Sequence, residues 1–151
     1  MSDARWSEIE GAASSAVRHF SGAVTIFPRI TTADDRYFAE MAFLHAMLAG
    51  HTSLEAALIR ILELLGEQAP AGSRWHADLI ARTTRSFSNR PAILTGEAAA
   101  AAGETRRFRR VATHAYDNFD EALATRAVEA AAVLAARLPG EIARFRQAID
   151  P

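Results

Sequence analysis

The sequence predicts an all-α protein, a bundle of about four or five helices. Alanine is abundant, whereas glycine (8) and proline (5) are sparse, and β-branched residues rarely alternate with polar ones. Apolar residues instead recur every three or four positions along most of the chain. No linker or internal repeat divides the 151 residues, and this length is enough for one buried core. We therefore expect a single helical domain over residues 1–151.

The first helix follows from apolar residues that fall on one helical face. These residues are Trp6, Ile9, Ala13, Ala16, Val17, Phe20 and Val24. The helix is predicted to end near Phe27, before Pro28. Thr31 and Thr32, each followed three residues later by an aspartate, predict the cap of the next helix.

The second helix is predicted to carry its apolar face on Phe38, Met41, Ala42, His45 and Leu48. His45 is accordingly expected to be a hydrogen-bonded core histidine. Gly50 leaves two alternatives open, a helix break with a fresh start at Thr52, or one long helix to about Gly66.

Three further helices complete the bundle. Ser73 is expected to cap a short helix carrying Trp75, which closes at Arg90–Pro91. A fourth helix is predicted from about Glu97 to Phe119 and a fifth from about Glu121 to Ile149. Pro139–Gly140 is expected to kink or split the last helix, since proline cannot donate a helical hydrogen bond.

Composition excludes several classes of protein. Half of the residues are apolar, which excludes a disordered tail, and the absence of cysteine excludes a disulfide scaffold and zinc–thiolate sites. No run of about 18 uninterrupted apolar residues occurs, and the charged start MSDARW does not resemble a signal peptide. We therefore expect a soluble, cytoplasmic protein without a membrane partner. A net charge of −1 argues against broad wrapping of nucleic acid but permits a small cationic site.

The sequence predicts neither a metal site nor a cofactor. His19, His45, His51 and His76 are scattered over three helices without a His-x3-His pair. His76 is expected to pack or cap at a helix start, as is Trp75 beside it. The sequence contains no Gly-rich phosphate loop and no Gly-x-Ser-x-Gly nucleophile elbow.

The segment from Arg106 to Tyr116 is chemically unusual. On a helical projection, the buried stripe is Phe108, Val111, Ala112, Ala115 and Phe119, and the opposite arc is Arg106, Arg109, Arg110, Thr113, His114, Tyr116 and Asp117. Four arginines within five residues repel one another and lower helix stability. The ordinary interpretation is a solvated cationic face.

Arginine beside histidine is also what metal-free phosphodiester cleavage requires. A neutral imidazole can accept the 2′-hydroxyl proton or donate one to the leaving oxygen. A guanidinium can hold the non-bridging phosphate oxygens as charge develops on them. Arg109 and His114 nevertheless lie about 140° apart on one helix, so a two-fold dimer that offers two copies of each would present them better.

The stretch Arg109-x4-His114-x-Tyr116 resembles the Arg-x4-His-x-Tyr motif of the HepT toxins in the HEPN superfamily. The likeness spans roughly residues 35 to 149 and includes Glu55, the WHADL segment 75–79 and the RPAIL segment 90–94. Arg110 and Thr113 depart from the small or polar residue and the second basic residue that are usual at these two positions.

The resemblance implies an up-and-down helical bundle that dimerises and acts as a metal-independent endoribonuclease toxin in a type II-like or type VII-like toxin–antitoxin pair. It makes Arg109 and His114 the catalytic pair. Arg106 and Arg110 lie on the same arc and are expected to bind RNA phosphates, because guanidinium groups match phosphate oxygens. The implied antitoxin is a minimal nucleotidyltransferase that silences the toxin by transferring AMP to Tyr116. A second class of function stays open, a non-catalytic bundle that binds such a nucleotidyltransferase as its substrate-binding partner.

Overall fold

A computed structural model describes residues 4–114 and 119–150, and within these residues the ordered structure is helical apart from one isolated bridge between Phe87 and Arg90. The helices are α1 (Arg5–Ile26), α2 (Arg29–Thr32), α3 (Arg36–Leu64), α4 (Trp75–Thr83), α5 (Gly96–His114) and α6 (Glu121–Ile149). The predicted helical bundle is confirmed. Four long helices form it, α2 is a single turn, and α4 is a short helix between α3 and α5.

Cross-helix contacts give the direction of each long helix. Glu8 pairs with Arg60 and Ser15 bonds to Ser53, so α1 and α3 run antiparallel. Between α3 and α5, His51 contacts Thr105 and Phe43 contacts Phe108. These two helices are therefore also antiparallel. On α6, Arg137 pairs with Glu97 near the start of α5 and Arg146 pairs with Glu10 near the start of α1. The long helices therefore alternate up and down, as in a four-helix bundle.

One core connects the long helices and α4. An aromatic group closes one end of it, where the ring of Phe43 lies 5.5 Å from Phe27, 5.8 Å from Phe108 and 6.0 Å from Phe119, centroid to centroid. These tilted and edge-on contacts are the favourable geometries for aromatic pairs.

The helix caps differ from those that the sequence predicts. Asp35, rather than Thr31 or Thr32, caps α3 by accepting a hydrogen bond from the backbone N–H of Phe38. Thr31 and Thr32 lie inside the single turn α2, where their hydroxyls donate to the carbonyl of Pro28. Ser73 does not cap α4, whose N-cap is Arg74. Several adjacent residues could cap each helix, and tertiary packing selects among them.

The predicted buried face of α3 is wrong for its first half. Phe38 is 68% exposed and His45 is exposed, so His45 is not a core histidine. The buried residues of α3 are instead Phe43, Ala46, Met47, Gly50, His51, Leu54, Glu55, Ala57, Leu58, Ile61 and Leu62. Apolar residues occur on nearly all sides of this helix, so periodicity alone does not identify the side that faces the core.

Gly50 lies inside a continuous helix, which decides between the two alternatives left by the sequence. A Cβ atom built on Gly50 would lie 2.6 Å from Cδ1 of Phe20, a fully buried ring on α1. Glycine therefore permits α1 and α3 to approach closely instead of ending the helix.

Pro139 does not split α6, which is continuous from Glu121 to Ile149. Both Pro139 and Gly140 are exposed, where water can solvate the backbone carbonyl that a missing N–H leaves free. By length and composition alone, α3 is apolar enough to cross a membrane. Half of its most apolar window is buried inside the bundle.

Candidate functional site: an arginine-lined cavity

A cavity of about 510 Å³ opens between the N-terminus of α4 and the arginine-rich part of α5. Its lining consists of Ser73, Arg74, His76, Ala77, Arg106, Arg109 and Arg110. The three arginines of α5 share one helical face because they are spaced by three and four residues. Thr105, Phe108 and Ala112 of the same helix are buried in the core and fix the rotation of the helix. We refer to this site as the arginine cavity.

Four arginines give the arginine cavity its positive charge. Within the described ranges 4–114 and 119–150, no carboxylate lies within ion-pair distance of Arg74, Arg106, Arg109 or Arg110. By contrast, Arg107 on the outer side of α5 pairs with Glu104 at 2.7 Å. Unpaired guanidinium groups that converge on a concave surface favour an anion, and their forked N–H groups match phosphate oxygens.

The N-terminus of α4 adds to this positive field. In the part of the chain that the structure describes, no side chain caps it. The uncapped end carries a partial positive charge, and His76 and Ala77 of its first turn line the cavity.

Behind the cavity wall, Glu55 of α3 is a buried carboxylate with only 4% of its surface exposed. Its Oε2 atom accepts a hydrogen bond from Nδ1 of His76 and lies 3.3 Å from Nε2 of His51. Burial raises the pKa of Glu55, but hydrogen bonding and charge from His51, and then from His76, outweigh it and leave the pKa below its ordinary value. Glu55 therefore remains ionised at neutral pH.

His51 connects this carboxylate to the arginine helix. The imidazole is fully buried, and its Nδ1 lies 2.9 Å from Oγ1 of Thr105, the residue before Arg106. Thr105 also donates to the carbonyl of Ala102 at 3.2 Å. A buried polar chain thus runs from α5 through His51 and Glu55 to His76 at the cavity wall.

The aromatic ring of Trp75 holds His76 from one side. The two ring centroids are 3.6 Å apart with an interplanar angle of 31°. Stacking and the hydrogen bond to Glu55 together restrict the imidazole to one orientation, with 23% of its side chain exposed.

The RPAIL segment has an architectural role. The side chain of Arg90 is 2% exposed, pairs with Glu67 at 2.5 Å and donates to three backbone carbonyls. Arg144 of α6 donates to the carbonyls of Ala92 and Ile93 at 3.1 and 2.9 Å. This segment therefore secures the loop between α4 and α5 and does not reach the cavity.

The structure brings some of the predicted site residues together and separates others. Arg106, Arg109 and Arg110 line one cavity, whereas His114 is exposed at the last residue of α5 and is not among the lining residues. Five residues of helix separate Arg109 from His114 by about 7.5 Å along the axis. Tyr116 lies outside the described residues.

The predicted site omits Glu55, His51 and His76 as functional residues. A usable signal was present, because His51 and Glu55 are four residues apart and must share a helical face. The expectation that His76 packs or caps was incomplete, since it stacks on Trp75 but also lines the cavity. Only the fold brings it beside α3 and α5. Within the described residues, no group of three or more side chains is arranged to hold a metal ion.

Comparison with known proteins identifies the family. A model of a HepT-like protein family matches residues 42–149, which is most of the chain. The chain belongs to the HepT-like family. This supports the HEPN-type assignment and indicates a toxin-like protein. No curated protein and no solved structure matches the chain. The matched span of this HepT-like protein includes Glu55, His76 and every arginine of α5.

Proposed function

We propose that this HepT-like protein is a metal-independent endoribonuclease toxin that binds the phosphodiester of RNA in the arginine cavity. The observation that carries the proposal is the set of four arginines around a concave surface, none of which has an acidic partner within residues 4–114 and 119–150. Such a surface complements a phosphate and does not complement an apolar ligand.

In the proposed reaction, the 2′-oxygen of RNA attacks the adjacent phosphorus and the bond from phosphorus to the 5′-oxygen breaks. The products are a 2′,3′-cyclic phosphate and a 5′-hydroxyl. Arg109 stabilises the charge that develops on the non-bridging oxygens, and Arg106 and Arg110 hold neighbouring phosphates. His114 transfers a proton as general acid or base.

A homodimer would complete this site. His114 is exposed and about 7.5 Å further along α5 than Arg109, so the His114 of a second protomer is a natural complement. A two-fold axis places two copies of each residue at one cleft. We assign the protein to the cytoplasm, where its RNA substrate and its antitoxin would be found.

The proposed antitoxin is a minimal nucleotidyltransferase. The phenol oxygen of Tyr116 would attack the α-phosphorus of ATP, pyrophosphate would leave, and the phenol proton would pass to a base of the transferase. The seven-residue spacing of Arg109 and Tyr116 would bring the two side chains within about 20° of each other on an ideal helical projection. The AMP phosphate would then pair with the arginines that bind RNA and would prevent the RNA from binding.

An RNA cleavage assay on purified protein in EDTA tests the proposal. We expect cleavage that leaves a 2′,3′-cyclic phosphate, with rates lowered about 10²–10⁴-fold in Arg109→Ala and in His114→Ala. Arg107→Ala is the matched control, because Arg107 lies on the same helix, points away from the cavity and pairs with Glu104. Equal cleavage by the double variant Arg109→Ala/His114→Ala would indicate a contaminating nuclease and reject the assignment.

Retained binding of a nucleotidyltransferase without any RNA cleavage would support the second class of function instead. In that case the bundle would serve as the substrate-binding partner of the transferase.

A further inference from the structure

We infer that Glu55 and His76 form an acid–base pair whose free imidazole nitrogen, Nε2 of His76, faces the phosphodiester in the arginine cavity. The inference rests on the proposed function and deepens it, because it assigns the general base to a residue outside the Arg-x4-His-x-Tyr segment. Glu55 is the positioning residue of the pair, and His76 is the catalytic residue.

The hydrogen bond to Glu55 determines the tautomer of His76. Oε2 of an ionised carboxylate can only accept a hydrogen bond, so Nδ1 of His76 must carry the proton. In the neutral imidazole Nε2 then has the lone pair. Within the described residues, no hydrogen bond or ion pair joins this Nε2 to a protein group, and His76 lines the cavity. A base with a free lone pair is thereby presented where a substrate would bind.

The surroundings of His76 suit proton abstraction beside a phosphate. From α3, Glu55 contacts the ring and His51 contacts Glu55 in turn. From α4 and α5 the charged neighbours in the cavity are Arg74, Arg106, Arg109 and Arg110. The arginines hold the anion, and the Glu55 carboxylate stabilises the imidazolium that forms when the ring takes a proton.

The proposed cleavage needs two proton transfers, one from the 2′-hydroxyl and one to the 5′-oxygen. Nε2 of His76 accepts the proton of the 2′-hydroxyl as the 2′-oxygen bonds to phosphorus. The bond from phosphorus to the 5′-oxygen breaks, and that oxygen takes a proton from the imidazolium of His114, contributed by the second protomer of the proposed homodimer. The two histidines thus act as base and acid, and no oxidant, reductant or further co-reactant takes part.

A pair with a purely structural role would have a different arrangement. Glu55 already has a buried histidine within ion-pair distance, because His51 is fully buried at 3.3 Å. His76 is instead at the cavity wall, stacked on Trp75 and partly exposed. This second contact fixes an imidazole that lines the same cavity as Arg106, Arg109 and Arg110.

RNA cleavage by His76→Gln, compared with His45→Gln, tests the catalytic assignment. His45 is an exposed residue of α3 that does not line the cavity. We expect kcat to fall about 10²–10⁴-fold in His76→Gln and to stay unchanged in His45→Gln. If both variants cleave as fast as the wild type, the inference is wrong while the proposed ribonuclease stands.

The positioning role of Glu55 is tested by Glu55→Gln. The amide oxygen can still accept a hydrogen bond from the Nδ1–H group of His76, but the negative charge of the carboxylate is lost. We expect kcat to fall about 10-fold or more while KM for RNA is unchanged, since the phosphate-binding arginines are intact. If KM for RNA instead rises about 10-fold while kcat stays at the wild-type value, Glu55 has a structural role and the proposed pair is wrong.

Nitrogen NMR of the wild-type protein at about pH 8 tests the pair independently of activity and of any variant. We expect a protonated Nδ1 and an unprotonated Nε2 on His76, with the Nε2 signal shifting when a 2′-O-methyl dinucleotide is added. A proton on Nε2, or no shift at a saturating concentration of the dinucleotide, would overturn the inference. Should the shift occur without cleavage of any RNA, the hydrogen bond to Glu55 and the position of Nε2 at the phosphodiester are supported, whereas the proposed ribonuclease and the catalytic role of His76 are rejected.

Discussion

Oγ1 of Thr105 lies 2.9 Å from Nδ1 of the fully buried His51. This contact joins the arginine helix α5 to the centre of α3, one residue before Arg106. The polar chain that reaches the cavity through Glu55 and His76 therefore also fixes the rotation of the helix that carries the arginines.

Replacing Thr105 with valine should destabilise the fold. The change keeps the volume of the side chain but removes the partner of His51 Nδ1 in the core. We expect a loss of about 1–3 kcal/mol in the free energy of unfolding, measured by urea denaturation. Thr125→Val on the exposed side of α6 is the control and should change stability by less than about 0.5 kcal/mol. Equal effects of the two substitutions would contradict a role for the contact.

Gly50→Ala should also destabilise the protein. The added methyl group would meet the ring of Phe20 at 2.6 Å, so α1 and α3 must separate or the ring must shift. We expect a cost of about 1–3 kcal/mol. Gly11→Ala has no atom within 4 Å of the new methyl group and should stabilise the helix by about 0.5–1 kcal/mol. Opposite shifts in melting temperature would confirm that packing, rather than helix propensity, requires glycine at position 50.

The contribution of Glu55 to stability should depend on pH. Its folded-state pKa lies below the ordinary value of 4.5, so the unfolded chain binds the proton more readily. The stabilisation is therefore complete above about pH 4.5 and is lost as pH falls through the lower folded-state pKa. We expect the free energy of unfolding, measured by urea denaturation at several pH values, to be higher in the wild type than in Glu55→Gln. This difference should be largest at neutral pH and should shrink below pH 4.5. A difference that does not depend on pH would show that the charge of Glu55 is irrelevant.

Arg109→Ala should weaken binding of single-stranded RNA in a salt-dependent way. For a non-cleavable 2′-O-methyl oligonucleotide, we expect the slope of log K against log salt concentration to fall by about 0.7 for one lost phosphate contact. Arg107→Ala should leave both affinity and slope near the wild-type values, since its guanidinium pairs with Glu104 outside the cavity. If Arg109→Ala and Arg107→Ala lose the same RNA affinity, RNA is attracted nonspecifically to the positive charge of α5 and does not bind in the cavity.

Modification of Tyr116 should abolish cleavage. Co-expression with a partner nucleotidyltransferase is expected to add the mass of one AMP group per chain, detected by intact-protein mass spectrometry, and Tyr116→Phe should remove the shift. The modified protein should neither bind nor cleave RNA, because the AMP phosphate would pair with Arg109 and its neighbours. A mass shift that persists in Tyr116→Phe would place the acceptor elsewhere.

The sequence alone determines the helical class, the approximate ends of the long helices and the arginine face of α5. Each depends on local information, since a 3.6-residue period and helix-breaking residues act within a few turns. The last helix is predicted from about Glu121 to Ile149, and α6 has these bounds. Matches of this kind are expected where propensity and packing agree.

Only the tertiary structure decided which side of α3 is buried and which histidine belongs to the site. Apolar residues surround α3, so contact with α1 and α5 selects its core face, leaving His45 exposed and burying His51. Glu55, His76 and Arg109 come from three different helices, and their proximity depends on how those helices pack. Local sequence patterns contain no information on that packing, because it is set by the summed burial of many distant side chains.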